Sequence, residues 1–285
     1  MSWMESISAA ICYIEENLTQ ELTAAEIARY VHISTFYFQK SFAMLCGFTL
    51  TEYIRNRRLA LAGNDLANGN EKIIDIAMKY GYDSPDSFTK AFTRFHGVTP
   101  TAARKDGVML KSFAPLKIKL SLEGGYLMEY RMERKPAFTV IANAKTFAYE
   151  GAKQTIPQFW QEHFTSGKGN VVCGMYGINI DEAMGGDTFE YLIADDYQSG
   201  RGVPEGFVTR TIPALNWAIF PCVGPLPQAL QNVNAKIFTE WLPALRDYEF
   251  SDGYCVEMYD APNKYLKGTL DEKYYSEIWI PVKKK

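Results

Sequence analysis

Long apolar runs are missing from this sequence: none approaches the roughly 18 residues that a membrane-spanning helix needs. The basic start and small-residue cleavage site of a secretory signal are missing too. The N-terminal segment instead spaces Ile7, Ile11, Ile14 and Leu18 as one face of a helix, so a cytoplasmic protein is expected. Histidine is scarce. His32, His96 and His163 lie far apart and offer neither a helical His pair nor metal-ligand spacing. The five cysteines, Cys12, Cys46, Cys173, Cys222 and Cys255, are scattered, odd in number and without a CxxC pair. That pattern argues against a disulfide framework or a zinc site and leaves them as small buried apolar residues. No nucleophile–base–acid set stands out, so no metal, no cofactor and no catalysis are expected.

Positive charge is also in short supply. The chain carries 30 Lys and Arg against 33 Asp and Glu, a net charge of −3. Divided after Gly107, residues 1–107 hold 11 basic and 12 acidic side chains, and the remainder 19 and 21. Bulk charge therefore does not announce a nucleic-acid ligand, and only its distribution bears on the question. Glu5, Glu15, Glu16, Glu21 and Glu26 come first; Lys40, Arg55, Arg57, Arg58, Lys90, Arg94, Arg104 and Lys105 follow. An acidic face opposite a basic one is compatible with that order.

What the sequence does contain is repetition. Its 285 residues suffice for two domains. Residues 73–104 read as helix, turn, helix and a short final helix. Ser84 is placed to cap the second helix, with Pro85 in its first turn. Phe88, Ala91, Phe92 and Phe95 recur at helical spacing and predict a buried stripe. An earlier copy lies 50 residues upstream: Phe38 aligns with Phe88, Lys40 with Lys90, Phe42 with Phe92 and Gly47 with Gly97. Before the turn the offset is 49, with Ile27-Ala28 against Ile76-Ala77. Thr23 with Glu26 and Thr49 with Glu52 are capping-box pairs, and Ser34 is the expected cap of the earlier second helix. The helix opened by Thr49, through about Ala67, joins the copies. Two helix–turn–helix units held about one DNA turn (~34 Å) apart fit successive major grooves.

These features carry a resemblance. Ile27-Ala28, Ser34, YIRNRRL (53–59), IIDIAMKYGYDS (73–84), FTKAFTRFHGVTP (88–100) and Arg104 resemble the AraC/XylS DNA-binding domain over residues 3–107. The resemblance implies double-stranded DNA as a partner and two base-reading helices. It points to Thr35, Phe36, Gln39 and Lys40 in the first, and to Pro85, Asp86, Ser87, Thr89 and Lys90 in the second. The residue chemistry partly agrees: Gln39 suits adenine and Lys40 or Lys90 guanine, while Ser34, Thr89 and Arg55 suit phosphate. Pro85 and Asp86 depart from the polar or basic residues expected there. Asp86 either accepts from a cytosine amine or simply favours the helix dipole.

Past a boundary expected after residue 107, alternation at Leu116, Ile118, Leu120 and Leu122 predicts a connector with a short strand. Residues 108–285 then read as βαββ twice. Strand-like 128–146 is broken by Pro136, a helix covers about 152–165, and strands follow at 171–179 and 188–195. The order recurs as 208–221 around Pro213, a helix at 227–242, and strands at 253–259 and 274–282. The fold class expected is thus an all-α double helix–turn–helix domain followed by an α+β domain. In YYSEIWIPV, Tyr275, Glu277 and Trp279 share one strand face. A buried Glu277 needs a partner, either a bound cation helped by the aromatic faces or an internal Lys or Arg.

This half resembles the GyrI-like, SOUL-type effector-binding domains, on the doubled βαββ order and EIWIP (277–281). The resemblance implies a small amphipathic, apolar or cationic effector against Glu277. Trp160, Tyr176, Tyr191, Trp217 and Trp241 are candidates for the same pocket from their aromaticity. The combination of the two domains resembles the Rob-type regulators, so an effector-controlled transcription regulator is expected. Two other functions stay open. One is a small-molecule hydrolase using Glu277 as acid/base with Tyr275 or Tyr191. The other is a regulator whose second domain contacts RNA polymerase or another protein.

Overall fold

The computed structural model describes residues 3–285 other than 34, 118–127, 150, 182–187, 199, 201, 246 and 252, and leaves out the side chains of 3, 4, 36 and 153. The N-terminal part is helical: α1 (Trp3–Glu16), α2 (Ala24–Tyr30), α3 (Thr35–Cys46), α4 (Leu50–Asn68), α5 (Ile73–Lys79), α6 (Pro85–His96) and α7 (Pro100–Ala103). Local punctuation sets these limits. Glu26 N donates to Thr23 Oγ1 at 3.2 Å while Thr23 N donates to Glu26 Oε2 at 3.1 Å, closing the capping box of α2. Thr49 and Glu52 repeat the box at α4. Ser84 Oγ accepts from Ser87 N at 3.2 Å, and Pro85 follows at the first turn of α6. Ser34 lies outside the described residues. Both turns close alike, with Ile33 N bound to Ala28 O at 3.0 Å and Tyr82 N to Ala77 O at 2.9 Å. Each needs one left-handed residue: Gly81 at φ 78° in the second and His32, an uncommon choice, at φ 56° in the first.

Helix α4 belongs to both copies. Its first half adds Leu50, Tyr53 and Ile54 to a core with Ile7, Ile14, Ile27, Phe38 and Phe42. Its second half adds Leu59, Ala62 and Leu66 to a core with Ile76, Ala77, Phe88 and Phe92. With 19 residues it is about 28 Å long and serves as a shared spine.

His96 locks the second unit. Its Nε2 lies 2.9 Å from Leu59 O, and its Nδ1 accepts from Lys111 N at 3.1 Å. The ring fits only because residue 63 is glycine; a Cβ there would lie 2.8 Å from ring atoms. Burial lowers the His96 pKa below its ordinary value, against the bond to Leu59. The folded form therefore resists the proton that the unfolded chain takes up near pH 6.5. Stability is present above about pH 6.5 and is lost as pH falls below it. Unfolding of the helical part, followed by thermal melts from pH 7.5 to 5, should show this slope, and His96→Gln should flatten it. An equal slope in the variant would assign the effect elsewhere.

The C-terminal part contains β1 (Arg131–Lys135), β2 (Phe138–Ala148), α8 (Ala152–Thr165), β3 (Tyr176–Ile180), β4 (Thr188–Asp196), β5 (Val208–Ile212), β6 (Leu215–Val223), α9 (Gln228–Lys236), β7 (Tyr248–Phe250), β8 (Tyr254–Tyr259) and β9 (Tyr275–Lys284). A π-helical turn, Ile237–Trp241, extends α9. The antiparallel sheet runs β1-β6-β9-β8-β3-β4-β2-β5, with β7 attached to β9. The order is symmetric about the β8–β3 contact, which joins the two βαββ halves. Pro136 and Pro213 do more than interrupt strands. Each sends the short first strand of its half to the far edge of the other half, β1 onto β6 and β5 onto β2. The strand expected at 171–179 starts late, because the Asp195 carboxylate takes the N–H groups of Cys173, Gly174 and Met175 at 2.5–2.9 Å. The strand expected at 116–122 falls largely outside the described residues. Cys222 and Cys255 are buried as expected, whereas Cys12 and Cys173 are exposed.

Both helices pack on one face of the sheet. Helix α8 lays Phe159 on Phe147, Phe189, Tyr191 and Ile193. Helix α9 and its extension lay Leu230, Ile237, Phe238 and Trp241 on Ala218, Phe220, Ile278 and Ile280. The opposite face gathers Val140, Ala142, Tyr176, Ile178, Leu192, Trp217, Ile219, Val256 and Trp279, with strand residues only among the buried, described members.

Candidate nucleic-acid interface and effector face

The second helices of the two helix–turn–helix units, α3 and α6, have different surroundings. On α6 the Ser84 cap fixes the first turn, and Phe88 and Phe92 bury one side. Pro85, Asp86, Ser87 and Lys90 are exposed on the other, with Thr89 half-buried. Asp86 sits in the first turn, where the dipole favours an acid.

On α3 the corresponding face is covered. Thr35 and Gln39 are only 4% and 6% exposed, and Tyr37 is fully buried. The Tyr37 ring stacks on Phe250 with centroids 3.6 Å apart. Its hydroxyl donates to the Tyr254 carbonyl at 2.8 Å. Lys40 Nζ lies 3.1 Å from Cys255 Sγ and 5.5 Å from the Phe238 ring centroid. Lys40, expected on a solvent-facing reading surface, therefore meets the C-terminal part of the chain, and Thr35 and Gln39, expected there too, are buried. The reason is Tyr37, which sequence reasoning passed over. The repeat alignment puts it opposite Ser87, so α3 carries a large aromatic where α6 carries a small polar residue. The side chain of Phe36, like all of Ser34, lies outside what is described.

Several of the bases that could make one face basic serve the fold instead. Arg57 forks onto Glu15, Nε to Oε1 at 2.9 Å and Nη2 to Oε2 at 2.7 Å. Arg58 Nε donates to Leu18 O at 2.8 Å and Arg104 Nη1 to Gly69 O at 2.9 Å. Arg55 is half-buried in the groove between the two units, beside Arg58 and Tyr82.

The alternation of β9 places Tyr275, Glu277 and Trp279 on one face, as expected, and it is the face opposite the two helices. Glu277 is 3% exposed. Tyr275 Oη donates to its Oε1 and Trp279 Nε1 to its Oε2, both at 2.6 Å. Its charged partner comes from the chain itself: Arg131 Nη1 lies 2.9 Å from Oε1. Burial alone would raise the Glu277 pKa. The hydrogen bonds from Arg131, Tyr275 and Trp279 outweigh that and hold it below its usual value. Glu133 bridges Arg131 at 3.3 Å and Lys135 at 2.8 Å, and Lys135 Nζ sits 4.4 Å from the Trp279 ring centroid. The signal for these three lay in RMERK, where alternate residues on one strand face are charged. Tyr176 and Trp217 join this face, their rings 5.9 and 6.1 Å from Trp279. Trp217 Nε1 is buried without a hydrogen-bond partner.

Trp160, Tyr191 and Trp241, expected in the same pocket, lie on the helix-covered face instead. Strand alternation sends Tyr191 away from Glu190 and Leu192, and the other two sit on the covering helices. Trp160 Nε1 donates to Tyr191 Oη at 3.0 Å, and Tyr191 Oη to Glu257 Oε2 at 3.1 Å. Trp241 packs edge-on against Phe220 at 4.9 Å.

Residues 131–282 match the family model of the integron-associated effector binding protein, and residues 27–106 match a helix-turn-helix domain. The transcriptional activator AarP of Providencia stuartii is 39% identical over 98 residues, 34% of this chain and 73% of that protein. The chain belongs to the AraC-type transcription regulators with a GyrI-like effector-binding domain. Regulatory protein SoxS of Escherichia coli K12, 36% identical over 104 residues, is covered over 97% of its length and covers 36% of this AraC-type regulator. A solved structure, SAV2435 bound to tetraphenylphosphonium, aligns with 55% of this chain and 94% of its own at 22% identity and a TM-score of 0.48. No described helix of the regulator is long and apolar enough to cross a membrane.

Proposed function

We propose that this AraC-type regulator is held in a half-masked form, in which the effector domain covers the first DNA-reading helix and leaves the second free. The observation that carries this is the seating of α3 on the effector domain through Tyr37 and Lys40, beside buried Thr35 and Gln39. Helix α6 engages one half-site through Ser87, Thr89 and Lys90. Helix α3 adds a second, different half-site through Gln39, Lys40 and Phe36 once it is released. The regulator acts on double-stranded DNA in the cytoplasm.

The effector binds the face opposite the helices, beside Glu277, Tyr275, Trp279, Trp217 and Tyr176. The strands beneath that face also carry the mask. On β8, Val256 and Met258 face the effector side while Cys255 meets Lys40 on the other. On β9, Val282 pairs with Phe250, the partner of Tyr37. A ligand that binds the masked and released arrangements unequally shifts the balance between them. Glu277 is poorly suited to general acid work, since three donors already hold its charged form. We place the boundary between the domains later than 107, between residues 117 and 128. Phe113 O accepts from Arg57 Nη1, and Leu116 N donates to Tyr53 Oη at 3.1 Å, so this segment stays with the helices.

The test is a salt titration on a duplex site obtained by in vitro selection. Lys90→Ala should weaken binding and reduce the slope of log affinity against log salt by about 1. Unchanged affinity and slope would remove α6 from the interface.

A further inference from the structure

We infer that Arg131 is a specificity-determining residue of the effector face: its tethered guanidinium occupies the cation position beside Glu277, so the face selects against cationic ligands and takes aromatic ones that are uncharged or acidic. The inference rests on the placement of the effector beside Glu277 proposed above.

Glu277 has what a cation subsite needs, a buried carboxylate flanked by aromatic rings. Yet its oxygens are already used. Oε1 accepts from Tyr275 Oη at 2.6 Å and pairs with Arg131 Nη1 at 2.9 Å; Oε2 accepts from Trp279 Nε1 at 2.6 Å. The aromatic side is taken as well, with Lys135 Nζ 4.4 Å from the Trp279 ring centroid. Glu133 binds both cations and holds them in place. Two acids and two bases leave this cluster neutral in itself, so Glu277 presents no uncompensated charge to an incoming cation. A tethered group also competes at an effective concentration on the order of millimolar. An incoming cation has to displace it; an uncharged or acidic aromatic does not. The unpaired Nε1 of buried Trp217, on the same face, is satisfied only by an acceptor, which a simple cation does not bring.

Arg131 stands on an edge strand, paired on one side by β6 alone. Its side chain is 47% exposed whereas that of Glu277 is 5% exposed. Removing the guanidinium therefore reopens the subsite from outside without emptying the core beneath it.

The experiment uses the full chain and two ions of the same shape and opposite charge, tetraphenylphosphonium and tetraphenylborate, titrated by tryptophan fluorescence. The wild-type protein is expected to bind the borate at least as tightly as the phosphonium. Arg131→Met should raise phosphonium affinity at least tenfold, and adding Glu277→Gln should abolish that gain. Arg131→Gln, which can still donate to Glu277, should shift the preference the same way and stands in if the methionine variant does not fold. A wild-type preference for the phosphonium that neither variant increases overturns the inference and leaves the effector face intact. Binding of neither ion by any variant overturns the effector face itself, and this inference with it.

Discussion

Phe250→Ala should raise the affinity of the full chain for a two-half-site duplex about tenfold or more. Phe250 meets α3 in the ring stack on Tyr37 at 3.6 Å, and it lies outside both α3 and α6. A stacked aromatic pair contributes ~0.5–1.5 kcal/mol beyond the area it buries, and half-buried Phe250 adds part of the roughly 1.5–3 kcal/mol that full burial of a Phe side chain supplies. Loss of even about 1.4 kcal/mol from the masked form alone enriches the released form tenfold, up to full release. The gain should appear only on DNA long enough for both helices. A duplex carrying just the α6 half-site should bind unchanged, since Pro85, Ser87 and Lys90 are exposed already. The salt slope on the long duplex should steepen as Lys40 leaves Cys255 for the DNA. Fluorescence anisotropy on the two duplexes reads all three outcomes. Equal affinity on the long duplex, with the variant folded, would mean that the covered α3 face does not limit DNA binding.

Glu15→Ala should cost the helical domain about 3–5 kcal/mol, the range for stranding one partner of a buried pair. The Arg57 side chain is 10% exposed and that of Glu15 22%. Glu15 also accepts from Tyr53 Oη at 2.6 Å, and burial together with that bond pushes the Tyr53 pKa well up. Removing the carboxylate leaves a buried guanidinium and a phenol without their acceptor. The damage also reaches the connector, because Arg57 holds Phe113 O and Tyr53 holds Leu116 N. Replacing both charges, Glu15→Met with Arg57→Met, should recover most of the loss, since no charge is then left buried alone. Urea unfolding followed by helical circular dichroism separates the cases. A loss below about 1 kcal/mol in the single variant would show that the pair behaves as a surface ion pair.

Much of the molecule was legible in the sequence because the information was local or periodic. Caps at Thr23, Thr49 and Ser84 depend on residues three apart and mark helix starts whatever surrounds them. The shared burial of Phe38 and Phe42 with Phe88 and Phe92 follows from an offset that survives in the text of the chain. Strand alternation alone put Tyr275, Glu277 and Trp279 together. Aromaticity alone does not assign a face: Tyr191 is one residue off the face of Glu277, and Trp160 and Trp241 ride on the helical segments that cover the other.

The sequence by itself determined two helix–turn–helix units on a common helix, a doubled βαββ sheet, and a carboxylate between two aromatics. Tertiary structure alone decided which partner that carboxylate has and what α3 touches. Arg131 and Glu277 are brought together because β1 crosses to the edge of the other half, a step that Pro136 permits but does not specify. Tyr37 meets Phe250 and Tyr254 over more than 200 residues of sequence. No period or cap encodes such a contact, since it depends on how two surfaces far apart in the sequence fit. The same helix face reads as a DNA surface in the sequence and as a domain interface in the fold, and the balance between the two is the quantity an effector has to move.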